Sequence, residues 1–196
     1  MVEEIKMSAD FQDNGNKKVV NSKAYKTNKK IIKAFLILMS KKSLEEADVS
    51  ELCRIAKINR TTFYNHYSSL YELLEYLMDD FFTNIKDYLY STTYKKENTA
   101  SKIASVLKYL KENRDFANIL LSSNLYEKVA QKLVSFDFIY NMIRNSSNKM
   151  LNSFIIGEDY YLDFIVTGCL AVIKKWLNEG CVVDENVLAR LITSMS

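Results

Sequence analysis

Apolar side chains recur along this chain at helical spacing, most plainly at Leu70, Leu73, Leu74, Leu77, Met78, Phe81, Phe82, Ile85 and Leu89. Steps of three and four residues keep all nine on one face of a single long helix. Ser69-Leu70-Tyr71-Glu72 is a capping box that opens it. Upstream, Ile31, Phe35, Leu36, Leu38 and Met39 predict a helix from an N-cap at Thr27 to about Ser40. Asp48-Val49-Ser50-Glu51 predicts a short helix to Ala56, with Asp48 accepting from the backbone and Glu51 reaching back. Asn59 caps a second short helix, Arg60 to His66, whose Ile58, Phe63 and Tyr67 face inward. Beyond residue 90 the pattern predicts helices at about 99–112, 114–122, 125–153 as one helix or two, 158–179 and 184–195. Glu158 or Asp159 starts the penultimate helix, Gly180 suits a left-handed cap after it, and Asp184 caps the last. That penultimate helix is apolar over more than one stripe, so it is either central in one subunit or shared with another. Residues 1–24 lack apolar periodicity and read as a mobile arm.

Composition narrows the fold to the all-α class. Among 196 residues there is no Pro and there are 4 Gly, so a turn-dense β protein lacks the residues its turns need. Three Cys and one His leave neither a disulfide framework nor a zinc ligand set, and no cofactor is expected. A reducing, cytoplasmic setting fits this cysteine usage. The longest apolar runs, such as Phe35 to Met39, fall far short of the ~18 residues of a spanning helix, so no membrane contact is expected. Charge is divided unevenly. Residues 17–70 carry 12 basic against 4 acidic side chains, a net +8, whereas residues 71–196 carry 14 against 16, a net −2. A positive head on a slightly negative body suits a partner rich in phosphate; it equally suits a solvated lysine-rich surface.

Two short helices joined by a tight turn, over about residues 49–68, describe a helix-turn-helix unit. Small Ala56 lets the helices cross closely, Leu52, Ile55, Ile58 and Phe63 hold the crossing, and the polar remainder of the second helix is left to enter a groove. Thr27 to Phe82, above all Val49 to Tyr67, resembles the DNA-binding domain of the TetR family of bacterial transcription regulators. The signature Thr-Phe/Leu-Tyr-x-His/Tyr-Phe/Tyr stands here as Thr62 to Tyr67. Tyr161 to Cys181 is similar to the C-terminal domain of a Firmicutes-rich TetR subgroup. Two positions depart from the pattern: Lys57 stands where the turn usually has Gly, and Leu70 where a Lys usually follows the recognition helix. A Lys in a left-handed turn costs about 1 kcal/mol against Gly.

The resemblance implies a three-helix DNA-binding head at 25–70 and an effector and dimerisation body at 71–196, about nine helices in all. It implies that Arg60, Thr61, Thr62 and Asn65 face base edges and that Tyr64 and His66 meet phosphates, with Thr27, Lys29, Lys30 and Lys57 adding to the contact. Arg60 has the donor geometry for guanine and Asn65 that for adenine. Tyr88, Tyr109, Phe116, Tyr126, Phe136, Tyr140 and Trp176 either line a pocket for a small apolar or aromatic effector or are core. The last two helices resemble the family's dimerisation surface, with Ile165, Cys169, Val172, Ile173, Trp176, Leu188, Leu191 and Ile192 as candidates. Cys53, Cys169 and Cys181 read as small apolar residues, with Cys181 the one expected at the surface. The partners expected are double-stranded operator DNA and a second copy of the chain. The function expected is a ligand-responsive homodimeric repressor on a pseudo-palindromic operator. An activator or co-activator of the same fold, or a helical interaction module without an operator, are the alternatives. An enzyme finds no support, since no glycine-rich phosphate loop, nucleophile–His arrangement or metal-spaced cluster is present in the sequence.

Overall fold

The computed structural model describes residues 23–90, 98–122, 124–139, 141 and 158–195. These divide into two compact units, with the boundary between residues 84 and 85, inside one helix. The fold among the described residues is all-helical.

In the first unit, α1 (Lys23–Met39) begins four residues ahead of Thr27. The Thr27 hydroxyl donates to the Lys23 carbonyl at 2.9 Å, so Thr27 is an interior residue that bonds back along the helix instead of capping it. Residues 23 and 24 are therefore helical, and the rest of the expected arm lies outside the described residues. Helix α2 (Val49–Ala56) has Asp48 as N-cap, its carboxylate accepting the Ser50 N–H at 2.8 Å. Glu51 does not close the expected box. It accepts instead from the Lys42 ammonium at 2.6 Å, a charge-assisted partner stronger than a neutral backbone N–H. Helix α3 (Arg60–Tyr64) is capped by Asn59, whose Oδ1 accepts both the N–H and the hydroxyl of Thr62 at 2.7 and 2.6 Å. It ends two residues before His66, where the His66 N–H donates to the Phe63 carbonyl in a tighter turn.

Lys57 is left-handed at φ 55° and ψ 48°, and the Ile58 N–H donates to the Cys53 carbonyl at 3.0 Å. That bond closes α2 in the manner usual for a helix ending in glycine. Helix α4 (Leu70–Tyr90) buries all nine stripe positions, from Leu70 to Leu89. Its box closes one residue farther back than the pattern implied: Ser69 Oγ accepts the Glu72 N–H, while the Glu72 carboxylate accepts the N–H and hydroxyl of Ser68.

The second unit holds the end of α4 together with α5 (Thr99–Glu112), α6 (Arg114–Leu120), α7 (Tyr126–Val134), α8 (Glu158–Asn178) and α9 (Glu185–Met195). Asn98 caps α5 by accepting the Ser101 N–H at 2.9 Å. The expected helix over 125–153 breaks at Ser135–Phe136 and resumes at 137–139; its remainder lies outside the described residues. Helix α9 packs on α5, and α8 packs on α6 and α7. Between α8 and α9 the backbone turns through Gly180 at φ 85° and Cys181 at φ 58°, and the Cys181 N–H returns to the Trp176 carbonyl at 2.9 Å. This turn corrects the surface expectation for Cys181, because the C-terminal cap folds the residue inward and buries it. Asp184 Oδ1 caps α9 through the Asn186 N–H at 2.9 Å.

Candidate nucleic-acid interface

Only five residues long, α3 depends on its neighbours for its position. Its anchor is Phe63, fully buried, with Leu52 buried on α2 and Tyr67 buried just beyond the helix. Phe63 lies 5.6 Å from the Tyr64 ring and 6.1 Å from that of Tyr67, centroid to centroid. The Cys53 thiol, pushed up in pKa chiefly by burial, donates to the Asn59 carbonyl at 3.8 Å and ties α2 to the start of α3. On the far side of Phe63, Arg60, Thr61, Tyr64 and Asn65 are exposed together, with Lys57 exposed in the turn before them. Thr62 is half-buried and its hydroxyl is directed to the Asn59 cap. His66 is half-buried against the Tyr67 ring at 6.3 Å. On α1, Lys29 and Lys30 are exposed, Lys29 sitting 5.2 Å from the Tyr25 ring centroid, while Thr27 is half-buried.

Two residues of this region carry more than the sequence pattern suggested. Asn28 occupies a buried position on α1, where its Oδ1 accepts the Tyr67 hydroxyl at 2.7 Å. Burial pushes the Tyr67 phenol well above its ordinary range, the Tyr76 phenol adds to the rise, and the bond to Asn28 opposes it. A polar residue three positions before Ile31, on an otherwise apolar stripe, was the available signal. Asp48, read only as a cap, also lies 3.8 Å from the Arg60 guanidinium. The Ser50 N–H, and after it the nearby Arg60 and Lys42 charges, hold its carboxyl below the usual carboxylate range. No spacing rule links positions 48 and 60, so this pairing needed the fold.

Residues 97–196, half of the chain, match a TetR-type family described as a transcriptional regulator C-terminal region. The chain belongs to the TetR family. Members of that family are DNA-binding transcriptional regulators and not enzymes. The chain is 37% identical over 91 residues to the HTH-type dhaKLM operon transcriptional activator DhaS of Lactococcus lactis, a match spanning 46% of each protein and so about half the length of that relative. In fold it is similar to a TetR transcriptional regulator of Streptococcus agalactiae, with a TM-score of 0.63 and 21% identity over 88% of this chain and 94% of that one. It is also similar to the fatty acid degradation regulator FadR of Bacillus halodurans, with a TM-score of 0.57 and 16% identity over 87% and 93%.

In this TetR-family chain the body residues named from sequence fall into distinct settings. Tyr109, Phe116, Phe136 and Trp176 are buried, Tyr126 is half-buried, and Tyr88 is exposed with its ring 5.5 Å from that of Tyr109. Lys86 lies 4.8 Å from the Phe136 centroid, the Tyr126 hydroxyl donates to the Thr167 carbonyl at 2.8 Å, and the Trp176 indole N–H donates to the Val183 carbonyl at 2.7 Å. Tyr140 lies outside the described residues. Of the interface candidates, Ile165, Trp176, Leu188 and Ile192 are buried. Cys169, Val172 and Ile173 are half-buried, and Leu191 is exposed. Phe164 is 73% exposed and Tyr160 75% exposed on α8, a pair the sequence reading did not single out. No helix among the described residues is long and apolar enough to cross a membrane, and no described group of three His, Cys, Asp or Glu residues could hold a metal.

Proposed function

We propose that a homodimer of this chain works in the cytoplasm and binds a pseudo-palindromic operator, one α3 per half-site. The observation that carries this reading is the exposed quartet Arg60, Thr61, Tyr64 and Asn65 on a helix whose opposite side is anchored by Phe63. Such a helix presents polar groups to a major groove without loosening its own packing. Arg60 reads guanine, Asn65 reads adenine, and Tyr64, His66, Lys57, Lys29, Lys30 and Thr27 meet the sugar–phosphate backbone. With its hydroxyl held by Asn59, Thr62 offers mainly its methyl group to a base edge.

The second copy docks on what α8 and α9 leave uncovered. Tyr160, Phe164 and Ala171 on α8, with Val187 and Leu191 on α9, are exposed at helical spacing, and Cys169, Val172 and Ile173 flank them half-buried. A small apolar or aromatic effector taken up among the body aromatics shifts the dimer between two recognition-helix separations, only one of which matches the ~34 Å repeat of successive grooves. An operator overlapping a promoter makes the dimer a repressor. The activator reading is favoured by a specific observation, the likeness, at 37% identity over 91 residues, to the dhaKLM operon transcriptional activator DhaS.

The test is selection of duplexes from a random pool by the full-length protein, followed by titration with native protein and the Arg60→Ala variant. A pseudo-palindromic site bound about 5- to 150-fold less tightly by the variant is expected from the value of one bidentate base contact. Recovery of unrelated sequences bound equally by both proteins sinks the operator reading. Phe164→Glu should convert the dimer to monomer in sedimentation equilibrium; a dimer that survives rules out the α8 face.

A further inference from the structure

Across the turn between α2 and α3, the side chain of the first residue of α3 reaches the N-cap residue of α2. Asp48 Oδ1 is held by the Ser50 N–H at 2.8 Å, and Arg60 Nη2 lies 3.8 Å from the same oxygen. The two side chains are 65% and 62% exposed. At that exposure an ion pair adds little to stability, so its effect has to be sought elsewhere. A free arginine spreads its guanidinium over many rotamers, and each must be given up when a base is read. Asp48 is not free in the same way, because its cap bond fixes the carboxylate. At 3.8 Å the pair is an ion-pair contact and not a hydrogen bond, so the carboxylate draws the guanidinium by its charge and leaves all five donors for the O6 and N7 acceptors of guanine. The neighbouring carboxylates have other partners: Glu51 is paired with Lys42, and Glu46 accepts the Ser43 N–H.

We propose that Asp48 is a specificity-determining residue, a fixed anion that orients Arg60 for base reading and, by its charge, weakens indiscriminate phosphate binding. The proposal rests on the reading of Arg60 as a base contact. It predicts opposite signs for two measurements on one variant, which a merely structural role does not produce. Asn caps a helix as well as Asp does, so Asp48→Asn removes the charge and keeps the start of α2.

The experiment uses full-length protein and the best duplex recovered from a random pool, together with copies carrying single base-pair exchanges. Native protein, Asp48→Asn, Arg60→Ala and the double variant are titrated at one salt concentration. At the base pair that Arg60→Ala no longer discriminates, Asp48→Asn should lower discrimination about threefold to tenfold, a part of what the full contact provides. Its affinity for random-sequence duplex should rise about twofold, since one anion near the phosphates is gone. The double variant should discriminate no less than Arg60→Ala alone. Unchanged discrimination by Asp48→Asn beside a loss in Arg60→Ala overturns the proposal and leaves the Arg60 reading standing. Relaxation at a different base pair also overturns it, because Asp48 would then read a base itself. No effect of Arg60→Ala at any pair removes the underlying reading. If Asp48→Asn melts well below native protein, Asp48→Ser, which caps through its hydroxyl, enters the same comparison with the same outcomes.

Discussion

The helices of the first unit and those of the second use the same apolar residues, yet they separate structure from chemistry in different ways. In the first unit α2 and α3 are short, each is capped by a side chain, and the division is clean: Phe63 is fully buried while Arg60, Thr61, Tyr64 and Asn65 stand exposed around it. In the second, α8 runs 21 residues with apolar groups on several sides, burying Ile165 and Trp176 and exposing Phe164 and Tyr160. A polar ligand such as DNA is met by polar side chains that a core rejects, so the function proposed for the first unit stands apart from its packing. An apolar effector and a second apolar subunit are met by side chains that a core also accepts. The effector and dimer roles proposed for the second unit therefore fall on side chains of the same kind as its packing.

Matched core truncations test this comparison with the largest effects. Phe63→Ala and Phe116→Ala each remove a fully buried ring and should each cost about 3–5 kcal/mol in urea unfolding. At a temperature where both variants are folded, only Phe63→Ala should abolish operator binding. Equal losses of DNA affinity from the two would break the distinction between the units.

The buried polar pair of the first unit is the next probe. Tyr67→Phe leaves the Asn28 amide buried without its partner hydroxyl and should destabilise the protein by about 1–3 kcal/mol. Adding Asn28→Leu should restore much of that loss in thermal unfolding, since two apolar groups then meet. A double variant less stable than the single one would mean that Asn28 has a further buried role.

A smaller effect of opposite sign is expected in the turn. Lys57→Gly relieves a left-handed non-glycine residue and should raise stability by about 0.5–1 kcal/mol, with loss of one exposed cation from the side proposed to face DNA. Its salt slope of DNA binding should fall by about one unit if Lys57 touches a phosphate, and stay constant if it does not.

Acid exposes the caps. Hydrogen bonds from Ser50 to Asp48 and from Ser68 to Glu72 lower both carboxyl pKa values in the folded state, so the unfolded chain binds protons more readily. Their stabilisation is complete above the unfolded values near 4 and is lost as pH falls through the lower folded values. The urea midpoint should therefore drop between pH 7 and pH 3, and drop less in an Asp48→Asn/Glu72→Gln double variant. An identical drop in both proteins would assign the acid sensitivity to other groups.

Sequence alone determined the parts whose physics is local. The nine-residue stripe of α4, the caps at Asp48, Asn59, Ser69 and Asp184, and the left-handed Lys57 all depend on residues within a few positions of one another, and all are present in the fold. Where a nearer or stronger partner competed, local reading erred: Thr27 bonds back to Lys23, Glu51 turns to Lys42, and Glu72 reaches Ser68. Tertiary structure decided the pairs distant in the chain, such as Asn28 with Tyr67 and Asp48 with Arg60, and it decided which apolar residues of α8 and α9 are core. Ile165, Trp176, Leu188 and Ile192 are inside while Phe164 and Leu191 are out. Hydrophobic burial is non-directional, and an apolar side chain carries no mark of which neighbour will cover it; only the packed helices supply that answer.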